Sequence, residues 1–354
     1  MSDEIDFFQQ HTALKFLRTA ISKNRLAQSY IFAGPEGIGK IEIARFFTKL
    51  LQCLNRTPDL TPCCVCKNCK KIEQNIFVDN LEMTYDSEKT VISIEQVREV
   101  LHPFMRYSAN EGGYKVCIIN PAHKMKIEAQ NTLLKILEEP PENFIFILVT
   151  SNKHLLLNTI LSRCQMIPFV RLANAVIEKM LIKHKSIEEI EARIYSSLSG
   201  GKIKYALKFI ESDISDVRES LLQEFITALD KKNLYDFHYF ALSMDNLLKK
   251  IKEEKEDTAK YFKLEKIQII ESYIEILLNF TRDIFLLKIS GIKHKLTNQD
   301  YKNKITELEK KYTLEEISQI MYNIFKSTKM LCGNARTIHA FDNILIGGGG
   351  RSDG

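Results

Sequence analysis

Two stretches of this chain have residue types and spacings that could do chemistry. The first is "GPEGIGK", where Gly34, Gly39 and Lys40 satisfy G-x-x-x-x-G-K-[ST] until Ile41 replaces the hydroxyl. In a working phosphate loop, backbone N–H groups and the lysine hold the phosphates, and the Ser or Thr oxygen helps seat Mg²⁺. Gly34, Gly37 and Gly39 leave the backbone free to curve, so the cradle is expected. The magnesium seat is not. A second segment, "KVCIINPAHKM", has the form of a core strand ending in Asp-Glu-Ala-His, but Asn120 and Pro121 stand where the two acids would be. Asn120 brings no negative charge, and Pro121 can neither bind Mg²⁺ nor orient water. The expectation is a vestigial phosphate loop on which ATP and Mg²⁺ do not bind productively. Two uses stay open for it: a well-packed strand-to-helix turn, or residual phosphate or nucleotide binding at a helix N-terminus.

The second stretch is a cysteine cluster. Of the 8 cysteines, Cys63, Cys64, Cys66 and Cys69 crowd together and Cys53 lies just upstream. Cys53, Cys63, Cys66 and Cys69 give C-x9-C-x2-C-x2-C, a spacing that lets four thiolates converge on one tetrahedral ion. One structural Zn²⁺ is expected, since four thiolates leave no open position for water. Cys63 is preferred to its neighbour Cys64 because it keeps equal spacing to Cys66 and Cys69; Cys64 remains the alternative ligand. Redox chemistry is disfavoured because the x2 repeats continue past a single C-x-x-C. Cys117, Cys164 and Cys332 stand alone, and Cys117 within a core strand reads as a small buried hydrophobe.

The elements that must position these residues follow from periodicity. Residues 12–23 space Leu14, Leu17, Ala20 and Ile21 as a helix does, "SYIFAG" is a buried strand running into the loop, and "IEIARFFTKLLQC" resumes helical spacing. After the cysteines, "VISIEQVREVLHPFM" passes from a short β-branched stretch into a helix. "YKVCIIN" and "NFIFILVTSN" are core strands, separated by a helix over 126–139 that Pro140 and Pro141 stop, and "MIPFVRL" is a short further strand. Strands alternating with helices predict an α/β unit with a parallel sheet covered on both faces. From about 173 the strand signals vanish and the chain reads as helices, broken at Gly200 and Gly201 and carrying a charged stretch over 249–266 that suits a solvated face.

At 354 residues, with 45% apolar and 27% charged residues, two or three globular domains are expected. The longest apolar run has strand length, well short of the ~18 residues that cross a bilayer. The acidic start "MSDEIDFFQQ" lacks signal-peptide features, so a cytoplasmic location without a membrane partner is expected. The net charge of +5 permits a basic face without arguing for one.

With "SYIFAGPEGIGK", the cysteine insertion, "YKVCIINPAHKM", "NTLLKILEEPPENFIFILVTS" and "TILSRCQMIPF", the chain resembles the delta-prime family of bacterial DNA polymerase III clamp-loader subunits, which are AAA+ proteins. The resemblance covers about residues 10–172. It implies a RecA-like AAA+ domain over 1–172 with a zinc-binding insertion at about 53–69, an all-α lid over 173–212 and an all-α oligomerisation collar over 213–346; the tail "GGGGRSDG" over 347–354 has no packing residues and is expected to be flexible. It further implies that Arg163, in Ser162-Arg163-Cys164, is an arginine finger acting in trans on the ATP site of a neighbouring tau/gamma motor subunit; the other reading is that Arg163 merely pairs with a local carboxylate. The chain itself would be a non-catalytic part of the polymerase III holoenzyme, a DNA-directed DNA polymerase. With the motor and delta subunits it would load the sliding clamp onto primer-template DNA. Where the family's lids often carry a nucleotide-sensing arginine, this chain offers Lys204, which lacks the bidentate fork. The family usually has glycine where Cys64 stands. Two alternatives differ in class. One is an ATP-hydrolysing tau/gamma-type subunit, against which Ile41, Asn120 and Pro121 argue. The other is a zinc-knuckle nucleic-acid module using Lys67, Lys70 and Lys71, with Phe77 as its one nearby aromatic.

Overall fold

The computed structural model describes residues 11–85, 91–109, 113–210, 214–253, 262–291 and 296–332. They form two compact units, Met1–Ala173 with Gly201–Lys204, and Asn174–Gly200 with Tyr205–Gly354. The tail expected over 347–354, the N-terminal ten residues and part of the charged stretch over 249–266 lie outside the described residues.

The first unit is built on β1 (Ser29–Ala33), β2 (Asn80–Met83), β3 (Lys115–Ile119), β4 (Phe144–Thr150) and β5 (Gln165–Pro168). These make one sheet in the order β2-β3-β4-β1-β5, and every pairing is parallel. β3 and β4 are buried along their whole length, as apolar runs without alternation require when both faces are covered. Side chains still alternate between faces. Tyr30 and Phe32 join α1 (His11–Ser22) and α2 (Lys40–Gln52) in one core through Leu17, Phe47 and Leu50. Ile31, Cys117, Phe146 and Leu148 face the other way, against Val97, Leu101, Leu133 and Leu137 of the helical run 94–105 and α5 (Ile127–Glu138).

Two local readings change. The sheet has a fifth strand, β2, that the periodicity does not show: "NLEM" has no β-branched residue, and as an edge strand it is mostly half-buried or exposed. The β-branched stretch at 91–93 makes only an isolated bridge, Ile92 to Met125. It yields at once to a helix because Ser93 and Gln96 form a capping box, each side chain taking the other's backbone N–H, at 3.4 and 3.1 Å. This helical run is numbered α4, and α3 (Lys67–Glu73) precedes it in the cysteine insertion.

The second unit is helical throughout its described residues, from α7 (Asn174–Lys185) and α8 (Glu189–Leu198) to the last helix, Leu314–Cys332. Phe225, Phe240 and Phe280 centre its core, with ring centroids 5.4 and 6.2 Å apart. Ser197 donates to Asn279 Oδ1 at 3.1 Å, so segments read as lid and collar pack within this one unit. No helix among the described residues is long and apolar enough to cross a membrane.

Candidate functional site

The glycine loop lies at the C-terminal end of β1, between the ends of β4 and β5. Gly34 donates its N–H to the Thr150 carbonyl at 3.2 Å, and a Cβ there would stand 2.3 Å from the Phe169 carbonyl oxygen. Gly37 and Gly39 take φ of 77° and 91°, left-handed conformations that turn the chain into α2 and that favour glycine. Lys40 opens α2 and is buried. Its Nζ donates to the Gly34 carbonyl at 2.7 Å and also to that of Pro35. Burial lowers its pKa to about 8, against the opposing pull of Glu36 and Glu42. Ile41 packs against the core that holds Phe46 and Phe47. The position that would bear a magnesium ligand therefore serves packing.

Asn120 follows β3, held by its N–H on the Met83 carbonyl at 2.9 Å, and Pro121 comes next. Neither offers a carboxylate at the positions where a working phosphate-loop site carries its acids. The structure adds polar neighbours that motif reading passed over. His123 Nδ1 is 3.3 Å from Thr150 Oγ1, and Nε2 is 3.3 Å from Ser151 Oγ. Burial lowers the His123 pKa, as do Lys124 and Lys40, while Glu36 raises it. The signal available in the sequence was position alone: His123, Thr150 and Ser151 follow or end adjacent parallel strands, where ligands of open α/β sheets bind. Lys204 also reaches the loop. Its N–H donates to the Gly37 carbonyl at 3.0 Å, and its ammonium pairs with Glu42 at 2.6 Å.

Arg163 ends α6 (Asn158–Arg163). Its Nη1 donates to the Thr159 carbonyl at 3.1 Å and its Nη2 is 2.7 Å from Glu138 Oε1, at the end of α5. The side chain is 36% exposed.

Cys53, Cys63, Cys66 and Cys69 come together with all four Sγ atoms within 4.8 Å of one another. Backbone N–H groups turn toward the sulfurs: Cys63 N to Cys53 Sγ at 3.2 Å, Cys66 N to Cys63 Sγ at 3.3 Å, Cys69 N to Cys66 Sγ at 3.5 Å. Burial pushes the Cys66 thiol up, but hydrogen bonds from the Cys69 and Leu54 backbone outweigh it and bring it to about 6. Burial raises Cys53 and Cys69, so those thiolates need a cation beside them. The donor set fits a four-thiolate metal site. Cys64 is outside the group, its Sγ 3.5 Å from the Pro62 carbonyl and its φ at 57°, a left-handed turn that explains why glycine suits this position. Phe77 is buried, which leaves the insertion no exposed aromatic face on which a base could stack.

The sheet order, the glycine loop after β1 and the helical second unit define an open parallel α/β sheet with a phosphate-type loop, joined to an all-helical unit. Residues 9–173 match the family model described as "DNA polymerase III, delta subunit". The gamma subunit of Buchnera aphidicola (Acyrthosiphon pisum) is 30% identical over 340 residues, covering 91% of each chain. The delta' subunit of Bacillus subtilis is 26% identical over 337 residues, covering 95% of each. The Bacillus subtilis tau subunit is 34% identical over 215 residues, 59% of this chain, and the match spans only 37% of that relative's length. The chain belongs to the family of bacterial DNA polymerase III clamp-loader subunits.

Proposed function

We propose that this chain is a delta-prime-type clamp-loader subunit that does not hydrolyse ATP. It acts in the cytoplasm, and Arg163 supplies an arginine finger to the ATP site of a neighbouring tau/gamma motor subunit. With those subunits and delta it loads the sliding clamp onto primer-template DNA. One observation carries this reading: the loop keeps its glycines and Lys40, while Ile41 packs into the core and Asn120 and Pro121 replace the acids. Such a site can hold a shape but lacks the hydroxyl and the carboxylates that usually seat Mg²⁺, so its surface is free to serve a live site next door. Arginine fingers in other phosphate-loop proteins are worth about 10³–10⁵ in rate. The domain plan of AAA+ unit, lid and collar belongs to the same proposal, as does one structural Zn²⁺ on Cys53, Cys63, Cys66 and Cys69. The ion would order the insertion and do no catalysis.

The test is reconstitution with tau/gamma and delta. Arg163→Ala is expected to lower clamp- and DNA-stimulated ATP hydrolysis by more than tenfold with assembly intact, and the isolated chain to hydrolyse no ATP. The gamma-type reading is favoured by the 30% identity to a gamma subunit across nearly the whole chain. Mg²⁺-dependent turnover by the purified chain alone would establish it in place of the first.

A further inference from the structure

We infer that Glu138 is a positioning residue for Arg163, an inference that rests on the trans-acting role proposed above. Arg163 and Glu138 are the last residues of α6 and α5, and their side chains meet at 2.7 Å. A carboxylate at a helix C-terminus faces the negative end of the helix dipole and the unpaired carbonyls of the last turn. Glu138 is therefore badly placed unless a cation neutralises it, and Arg163 is the cation that reaches it. Pro140 and Pro141 bar any continuation of α5, which fixes where that carboxylate stands.

The guanidinium is tethered at two points. Nη2 lies on Glu138 and Nη1 donates to the Thr159 carbonyl at 3.1 Å. Two anchors on a planar group set the direction of its plane. Nε–H and the outer Nη protons have no partner among the described residues, so the fork is oriented and still able to donate. A free arginine side chain carries about 2 kcal/mol of rotamer entropy, which a tether removes before a triphosphate arrives. The pair contributes little to folding, because both side chains are well exposed, 36% and 49%. Its loss belongs in the rate and not in stability. This gives a use to the acidic end of "LLKILEEPP", which the phosphate-loop reading leaves idle.

The experiment is a double-mutant cycle on the full chain in the complex reconstituted with tau/gamma and delta, read as ATP hydrolysis with clamp and primed DNA. Glu138→Gln is expected to lower kcat by about 2- to 5-fold, the range an exposed ion pair can supply, with KM for ATP and assembly unchanged. Glu138→Asp should recover part of the loss. The double variant should match Arg163→Ala, since Glu138 works only through that residue. A normal kcat for Glu138→Gln beside a slowed Arg163→Ala overturns the positioning role alone. So does a double variant slower than Arg163→Ala by the Glu138→Gln factor. An Arg163→Ala complex at the full rate removes the trans-acting role and this inference with it.

Discussion

The glycine loop and the cysteine insertion are opposite cases of what keeps a site in place. The loop is specified by backbone. Gly34 leaves no room for a Cβ beside the Phe169 carbonyl, two left-handed glycines enter α2, and Ile41 packs against the core, so packing preserves the shape whether or not a nucleotide ever binds. The insertion is specified by donor atoms. Leu54 and Val65, beside its cysteines, are 54% and 70% exposed, and no comparable core gathers the segment. What holds it is the convergence of four sulfurs, tied back to α2 where Asn68 donates to the Gln52 carbonyl at 3.0 Å. A shape held by packing outlasts its chemistry; a cluster of thiols held by the proposed ion would depend on that ion.

The largest expected effect follows from that contrast. Cys66→Ser, or chelation, is expected to remove one equivalent of zinc and expose the insertion to protease. The measure is metal analysis with limited proteolysis. Binding of structural zinc is worth about 10–16 kcal/mol in small peptides, an upper scale for the loss here. Cys64→Ser should keep both metal and protection. Zinc lost with Cys64 or kept without Cys66 would reverse the ligand assignment.

A smaller effect tests the loop from its lysine. Burial puts Lys40 at about 8 in the folded chain against an ordinary 10.5. Between those values the unfolded chain holds a proton that the folded chain has shed, so this group makes stability climb as pH rises through the window. At ~1.4 kcal/mol per unit the climb is on the order of 3 kcal/mol. It should vanish in Lys40→Met when urea unfolding of the two proteins is compared at pH 7.5 and 10.5. A difference between them that stays flat with pH would mean Lys40 is not held desolvated on its own loop.

Smaller again is Gly34→Ala, a test of whether packing alone keeps the loop. The added methyl would meet backbone atoms that cannot swing aside, so a cost of about 1–3 kcal/mol in urea unfolding is expected. Wild-type stability in this variant would show a loop with room to spare, and the contrast between the two regions would soften.

The parts of the molecule legible in the sequence are those where one physical demand acts alone. β1, β3 and β4 read out because burial on both faces asks only for apolar residues. The grouping of Cys63, rather than Cys64, with Cys53, Cys66 and Cys69 also follows from spacing, and Cys64 stands outside that group in a left-handed turn. β2 was hidden because an edge strand answers to pairing more than to burial, and "NLEM" shows no alternation strong enough to betray it. The identity of Arg163's carboxylate partner, Glu138, and the His123–Thr150 contact were hidden for another cause. Each pairing joins residues more than twenty positions apart, and only the packing of consecutive β–α segments decides that they meet.

The smallest expected effect falls on Lys204, and it sharpens the comparison most directly. Its ammonium pairs with Glu42 at 2.6 Å, yet it is 43% exposed, so solvent screens the pair and Lys204→Ala should cost less than about 1 kcal/mol. The backbone N–H that binds the Gly37 carbonyl survives the substitution, which leaves the loop's local support intact. In a loop that binds nucleotide productively, a lysine here would neutralise phosphate, and ATP would raise the melting temperature of the wild-type chain more than that of the variant. In a loop kept by packing, neither protein should respond to millimolar ATP with Mg²⁺, and their melting curves should differ only by the weak ion pair. A wild-type chain stabilised by ATP, with the gain lost in Lys204→Ala, would show that Glu42 merely occupies a lysine meant for phosphate.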